Sequence, residues 1–185
     1  MEGIRILEVA EHTFVPAASA ILADWGAEVL KIEHVERGDA MRGLASTGLA
    51  GLDGAVHVLL EHSNRGKQSI GLDLSDPAGL DILYQLAARC DVFLTNKMKG
   101  VRERLKIDVD DIRSANPQII YVRGTGYGNK GPDSDQPGAL GCVRQRLDLQ
   151  LKVGRQSCSR DSGEGGRLSR PKGSSLARLN RHQNV

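Results

Sequence analysis

At 185 residues and 20.0 kDa, the chain has room for one globular domain and hardly two. It carries a formal net charge of +2 with 39% apolar and 26% charged residues, and no 18-residue apolar run occurs, which excludes a membrane-spanning helix. The opening Met1–Leu7 has no cationic segment followed by an apolar core, so no secretory leader is readable, and three cysteines without close spacing suit a reducing cytoplasm rather than a disulfide framework or a zinc site.

Ile4–Val9 is a short apolar run suited to a buried strand. Beyond the loop Glu11–Val15, Pro16 fits the first turn of a helix, and Ala17, Ala20, Ile21 and Trp25 recur at helical spacing until Gly26 ends it. Val29–Glu33 reads as a second strand and completes a βαβ unit. The polar, glycine-rich stretch from His34 to Gly54 reads as a long loop, and Val56–Glu61 fits helix or strand. Ser69–Leu74 is a third strand. Ser75-Asp76-Pro77 starts a helix whose inner face carries Leu80, Leu83, Leu86 and Ala87. Val92–Leu94 is a fourth strand, Val109–Ala115 a short helix stopped by Asn116-Pro117, and Ile119–Val122 a fifth strand. Gly124–Gly131 is a loop. Strands alternating with helices predict an α/β fold, a parallel sheet with helices that takes its ligands at the carboxyl ends of the strands.

The composition then changes. Residues 1–138 hold 15 Lys+Arg against 20 Asp+Glu, whereas residues 139–185 hold 10 against 3. All aromatic residues precede position 128, and the last segment also lacks Ile and Thr. It buries too little apolar surface to offset its chain entropy, so the sequence divides into an ordered part, 1–138, and a low-complexity basic tail, 139–185, expected to be disordered. Richness in Arg, Ser and Gly is what GC-rich DNA yields off-frame, and a frame disruption just after Gly138 accounts for the switch. The rival is a genuine basic tail gripping phosphates, but nucleic acid is not the expected partner.

Single motifs say little. Gly126-Tyr-Gly-Asn-Lys-Gly131 spells GxGxxG after a strand, yet turn residues follow where a dinucleotide site needs a helix. Gly66-Lys67 continues into Gln68 and makes no Walker loop. Asn64-Arg65-Gly66-Lys67, two cations before a strand, suits either a polyanion contact or a solvated loop. Lys97, Lys99, Arg102 and Arg104 add cations after the next strand. His12, His34, His57 and His62 show no metal spacing, Ser63 and Ser69 lack a nucleophile-elbow context, and Cys90 reads as core.

Taken together the segments resemble the family III CoA-transferases. Leu22-Ala-Asp-Trp-Gly-Ala-Glu-Val-Leu-Lys-Ile-Glu33 with Gly38-Asp39 is similar to that family's "LADLGAEVIKIE…GD". Asn64-Arg-Gly-Lys-Gln-Ser-Ile-Gly-Leu-Asp-Leu74 is similar to "NRGKxSxxLDL", Asp76-Pro-Ala-Gly79 to "DPEG", and Asp91-Val-Phe-Leu-Thr-Asn96 to "ADVxxEN". Asn116-Pro117 and Gly126-Tyr-Gly-Asn-Lys-Gly-Pro132 follow the family's "NP" and "GFGQxGP", and the segments are collinear over residues 3–138.

The resemblance implies a Rossmann-like large domain that binds coenzyme A or acyl-CoA as substrate, with no tightly bound cofactor, and an interlocked homodimer in the intact family. It assigns coenzyme contacts to Thr13 and Phe14, to His34, to Leu72, Asp73, Leu74 and Ser75, to Asn96, Lys97 and Met98, to Arg104, and to Gln136, Pro137, Gly138 and Ala139. The implied reaction moves coenzyme A between carboxylic acids through an aspartyl-CoA intermediate. The position of the family's aspartate falls at Ser169, inside Arg167-Leu-Ser-Arg-Pro-Lys172, so no catalytic residue is assigned and the chain is expected to be inactive alone. A racemase-like member needs a histidine where Ala139 stands. A non-catalytic coenzyme-binding module, or a subunit completed by another chain, is the remaining alternative.

Overall fold

The computed structural model describes residues 1–47, 56–134, 136 and 150–152. Pro137, Gly138, Ala139 and Ser169 lie outside the described residues.

Five parallel strands form the centre of the molecule, β1 (Arg5–Val9), β2 (Glu28–Glu33), β3 (Gln68–Gly71), β4 (Val92–Thr95) and β5 (Ile120–Arg123). Their order is β3-β2-β1-β4-β5, which puts a topological switch point between β1 and β4. Residues 150–152, inside the stretch where no element was expected, add a short antiparallel strand β6 (Gln150–Lys152) beside β5. The α/β expectation holds, and so do the five parallel strands.

Local chemistry explains the helices. Helix α1 (Phe14–Asp24) has Pro16 in its first turn and ends at Trp25, after which Gly26 turns with a φ of 94°. The Trp25 ring remains in solvent at 63% exposure. Helix α2 (Val58–Asn64) resolves the ambiguity over Val56–Glu61 in favour of helix, with the His57 ring accepting the Leu60 amide. Asp76 caps α3 (Pro77–Ala87) through the Ala78 amide at 2.8 Å, and Pro77 occupies the first helical position. Helix α5 (Val109–Ala115) opens on a reciprocal box between Asp108 and Asp111. It stops at Asn116, whose side-chain amide donates to the Ala87 and Cys90 carbonyls and ties its end to that of α3.

Two expectations fail. Helix α4 (Lys99–Arg104) was not foreseen, because four of its six residues are charged and no apolar period marks it. The stretch after His34 is not loop throughout, since Ala40–Thr47 winds as a 3₁₀ helix.

Alternation along each strand feeds a core on both faces of the sheet. Leu7, Val9, Phe93 and Tyr121 pack with Leu83, Ile107 and Ile112 on the side of α3 and α5. Ile6, Val29, Leu94 and Val122 pack with Val15 on the side of α1. Phe93 and Tyr121 are register partners and stack with ring centroids 5.2 Å apart. Cys90 is buried, as read from sequence.

Candidate functional site

Strand β2 reads as an apolar run interrupted by Lys31, and that lysine is buried. Its Nζ lies 3.1 Å from Glu8 Oε1 and 2.6 Å from Asp39 Oδ2, with all three side chains shut off from solvent. Lys67 Nζ reaches the other Glu8 oxygen at 2.8 Å and also donates to the Pro16 carbonyl at 2.8 Å. Ser19 donates to Glu8 as well. Two ammonium groups and two carboxylates therefore alternate, Lys67–Glu8–Lys31–Asp39, and compensate one another where solvent cannot. In the Asn64–Lys67 loop Arg65 and Gly66 are exposed, as a solvated loop would have them, with Arg65 paired to Asp24, whereas Lys67 is internal.

Protonation follows this pairing. Burial pushes the Asp39 carboxyl up, but the Lys31 hydrogen bond and charge and the Met41 and His12 amides outweigh it, leaving it below its usual range. Burial pulls the Lys67 ammonium down, and Glu8 offsets only part of the effect.

Asp39 connects this buried chain to the surface. Its Oδ1 accepts the His12 amide at 2.9 Å and the Met41 amide at 2.8 Å. His12 has a φ of 66°, a left-handed conformation that costs a side-chain-bearing residue energy, and the Asp39 carboxylate holds it there. The turn presents Thr13 and Phe14 at the start of α1. Phe14 is approached closely by the backbone after β5. A side chain at Gly124 would strike Val15 and fall 2.8 Å from the Phe14 ring.

Across the switch point, Asn96 exchanges two hydrogen bonds with the Glu11 backbone at 3.1 and 2.6 Å, and Lys97 Nζ sits 2.5 Å from Glu11 Oε1. Arg102 is buried, donating from Nη1 to the Lys97 carbonyl at 2.6 Å and from Nε to Asp108 Oδ1 at 3.1 Å. Burial raises the Asp108 carboxyl, while the Val109 amide and Arg102 more than reverse that and set it low.

A cavity of about 1050 Å³ opens at this carboxyl edge. Of the expected contacts it brings together Thr13, Phe14, His34, Asn96, Lys97, Met98, Arg104 and Gln136. A smaller adjoining space of about 140 Å³ takes in Leu72, Asp73, Leu74 and Ser75, again with His34, Lys97 and Arg104. Asp73 Oδ1 accepts the Ser75 amide at 2.8 Å, and that bond holds its carboxyl low. His34 Nδ1 accepts the Glu36 amide at 3.2 Å.

Sequence reasoning missed Arg37, which lines both spaces, and Arg123, Thr125 and Asn129, which line the larger one. Arg37 lies in a stretch read as featureless loop, where only its charge marked it. Arg102, one of the cations noted after the fourth strand, is an internal tie.

The combination suits a long, polyanionic ligand with an apolar portion. Arg37, Lys97 and Arg104 stand on the wall common to both spaces, and phosphate groups match such cations. Among the described residues no group of side chains could hold a metal ion. No helix there is long and apolar enough to cross a membrane.

Comparison with known proteins gives the same direction. The family model for CoA-transferase family III matches residues 1–146. The (R)-2-hydroxy-4-methylpentanoate CoA-transferase of Clostridioides difficile is 33% identical over 138 residues, which is 75% of this chain and 34% of that protein. The human succinyl-CoA:glutarate CoA-transferase is 36% identical over 75% of this chain and 31% of its own length. The chain thus spans about a third of the curated relatives it matches. A crystal structure of Rv3272 from M. tuberculosis superposes with a TM-score of 0.66 and 30% identity, covering 80% of this chain and 44% of that one.

Proposed function

The chain belongs to CoA-transferase family III, and from that premise we propose that residues 1–138 form a coenzyme A-binding layer whose ligand lies across the carboxyl edge of the sheet at the β1–β4 switch point. The observation that carries the reading is the shared wall of Arg37, Lys97 and Arg104 between the two adjoining spaces. Coenzyme A combines a 3′-phosphate and a pyrophosphate with a long uncharged arm, and cations at one place beside a half-buried Phe14 and a buried Leu72 match both demands.

In the complete reaction, a carboxylate oxygen attacks the thioester carbonyl and releases the coenzyme thiolate, giving a mixed anhydride. The thiolate then attacks the anhydride, frees the acid and leaves an enzyme-bound thioester ready for a second acid. Those steps need a carboxylate nucleophile. Ser169, at the position implied for it, carries a hydroxyl that forms no anhydride. The chain is therefore proposed to bind coenzyme A without transferring it on its own.

Calorimetric titration with coenzyme A, followed by an acyl-transfer assay on the same sample, tests both halves. Saturable heat with no transfer is expected, and the heat should shrink in Arg104→Ala. Absence of saturable heat up to millimolar coenzyme, or turnover by the chain alone, refutes the proposal.

A further inference from the structure

The Asp39 side chain reaches no solvent, so it acts on a ligand only through what it holds. It joins two segments that line the larger cavity: Glu11–Phe14 in the turn after β1, and Arg37, Gly38 and Ala40 in the turn after β2. Its Oδ1 accepts the His12 amide at 2.9 Å from the first segment and the Met41 amide at 2.8 Å just past the second. Its own amide donates to Glu33 Oε2 at 2.9 Å. Oδ2 is taken by Lys31, which Glu8 grips in turn, so both carboxylate oxygens are fixed.

The bond to His12 is the informative one. A left-handed backbone is disfavoured in any residue with a Cβ, and His12 adopts it at a φ of 66°. The next residue, Thr13, caps α1 without a side-chain cap bond, so its hydroxyl does not fix the entry into the helix. The direction in which the chain leaves β1 therefore depends on the hold from Asp39.

Resting on the coenzyme-binding reading, we propose that Asp39 is a positioning residue for the coenzyme: it locks His12 left-handed and so sets Thr13 and Phe14 relative to the segment that carries Arg37. The buried chain Lys67–Glu8–Lys31 serves the same end by anchoring the carboxylate.

Calorimetric titration of the full chain with coenzyme A, well below its melting temperature, tests this through the backbone of residue 12. His12→Gly, His12→Asn and His12→Val all remove the imidazole and leave the buried charges in place. Glycine and asparagine accept a left-handed backbone, whereas a β-branched residue resists it. His12→Val should therefore bind about tenfold more weakly than His12→Gly or His12→Asn. Asp39→Ala should weaken binding about tenfold in the otherwise unaltered chain. In the His12→Gly background the same change should cost about twofold or less, because glycine populates the left-handed state unaided. Ile119→Ala, a core cut just before β5 and away from the cavity lining, should lower the melting temperature and leave affinity unchanged. Equal affinities across the three His12 variants, an equal loss for Asp39→Ala in both backgrounds, or the same loss in Ile119→Ala overturns the positioning role and leaves the coenzyme reading standing. If the unaltered chain binds no coenzyme A, that reading fails and this inference fails with it.

Discussion

Lys31 Nζ and Asp39 Oδ2 lie 2.6 Å apart on neighbouring backbone segments, and neither side chain touches solvent. The ammonium would be stranded without its two carboxylates. Asp39→Ala should therefore cost about 3–5 kcal/mol, the usual penalty for removing one partner of a buried pair. Urea unfolding of the variant reads this as a lower midpoint at unchanged slope.

Paired carboxyls set the response to acid. Asp39, Glu33 and Asp108 all have folded-state pKa values below their ordinary ones. A depressed carboxyl contributes stability that is complete above its unfolded value and lost as pH falls through its folded value. The melting temperature should stay level above roughly pH 5 and drop below about pH 4. Asp39→Asn should make that drop shallower, and an equal drop in the variant would show that Asp39 is not a source of it.

Gly79 sits in the first turn of α3, directly beneath the backbone of Asp73. An added Cβ would lie on the Asp73 carbonyl oxygen and 3.0 Å from its carbon. Helix propensity alone favours Ala over Gly by about 1 kcal/mol, so Gly79→Ala should stabilise if nothing else matters. The clash predicts the opposite sign, a loss of about 1–3 kcal/mol, measurable by thermal unfolding.

Arg102 holds the Lys97 carbonyl and the Asp108 carboxylate together from inside. Arg102→Met keeps much of the volume and removes both ties. We expect a stability loss of about 1–2 kcal/mol, together with weaker coenzyme binding as the segment 96–98 is released. Calorimetry run well below the melting temperature separates the two effects.

Cations on a solvent-facing wall make binding depend on salt. Arg37→Ala and Arg104→Ala should each weaken coenzyme binding about tenfold at low ionic strength. Both variants should also show a smaller decline in affinity as salt rises. A salt response identical to the unaltered protein's would remove these residues from the phosphate contacts.

The strands and the stops of helices were plain in the sequence because they rest on local chemistry: the apolar run of β1, Pro77 behind Asp76, and Pro117 behind Asn116. Helix α4 was not, because it is held by one buried arginine rather than by an apolar face. Lys31 and Glu8 were also unreadable as a buried pair. Their partners are set by strand register, Glu8 standing opposite Lys31, and register is a property of the folded sheet. The expected coenzyme contacts came through family resemblance, since no local pattern joins Thr13, Asn96 and Gln136.

The placement of Trp25 governs how folding of this protein can be watched. As the sole indole, solvated at 63% exposure in the native state, it should emit much as it does in the denatured chain, so a tryptophan fluorescence melt will show almost no transition. The stacked Phe93 and Tyr121 rings lie in a fixed asymmetric setting. Near-ultraviolet circular dichroism from that pair is the optical signal that should vanish when the sheet comes apart.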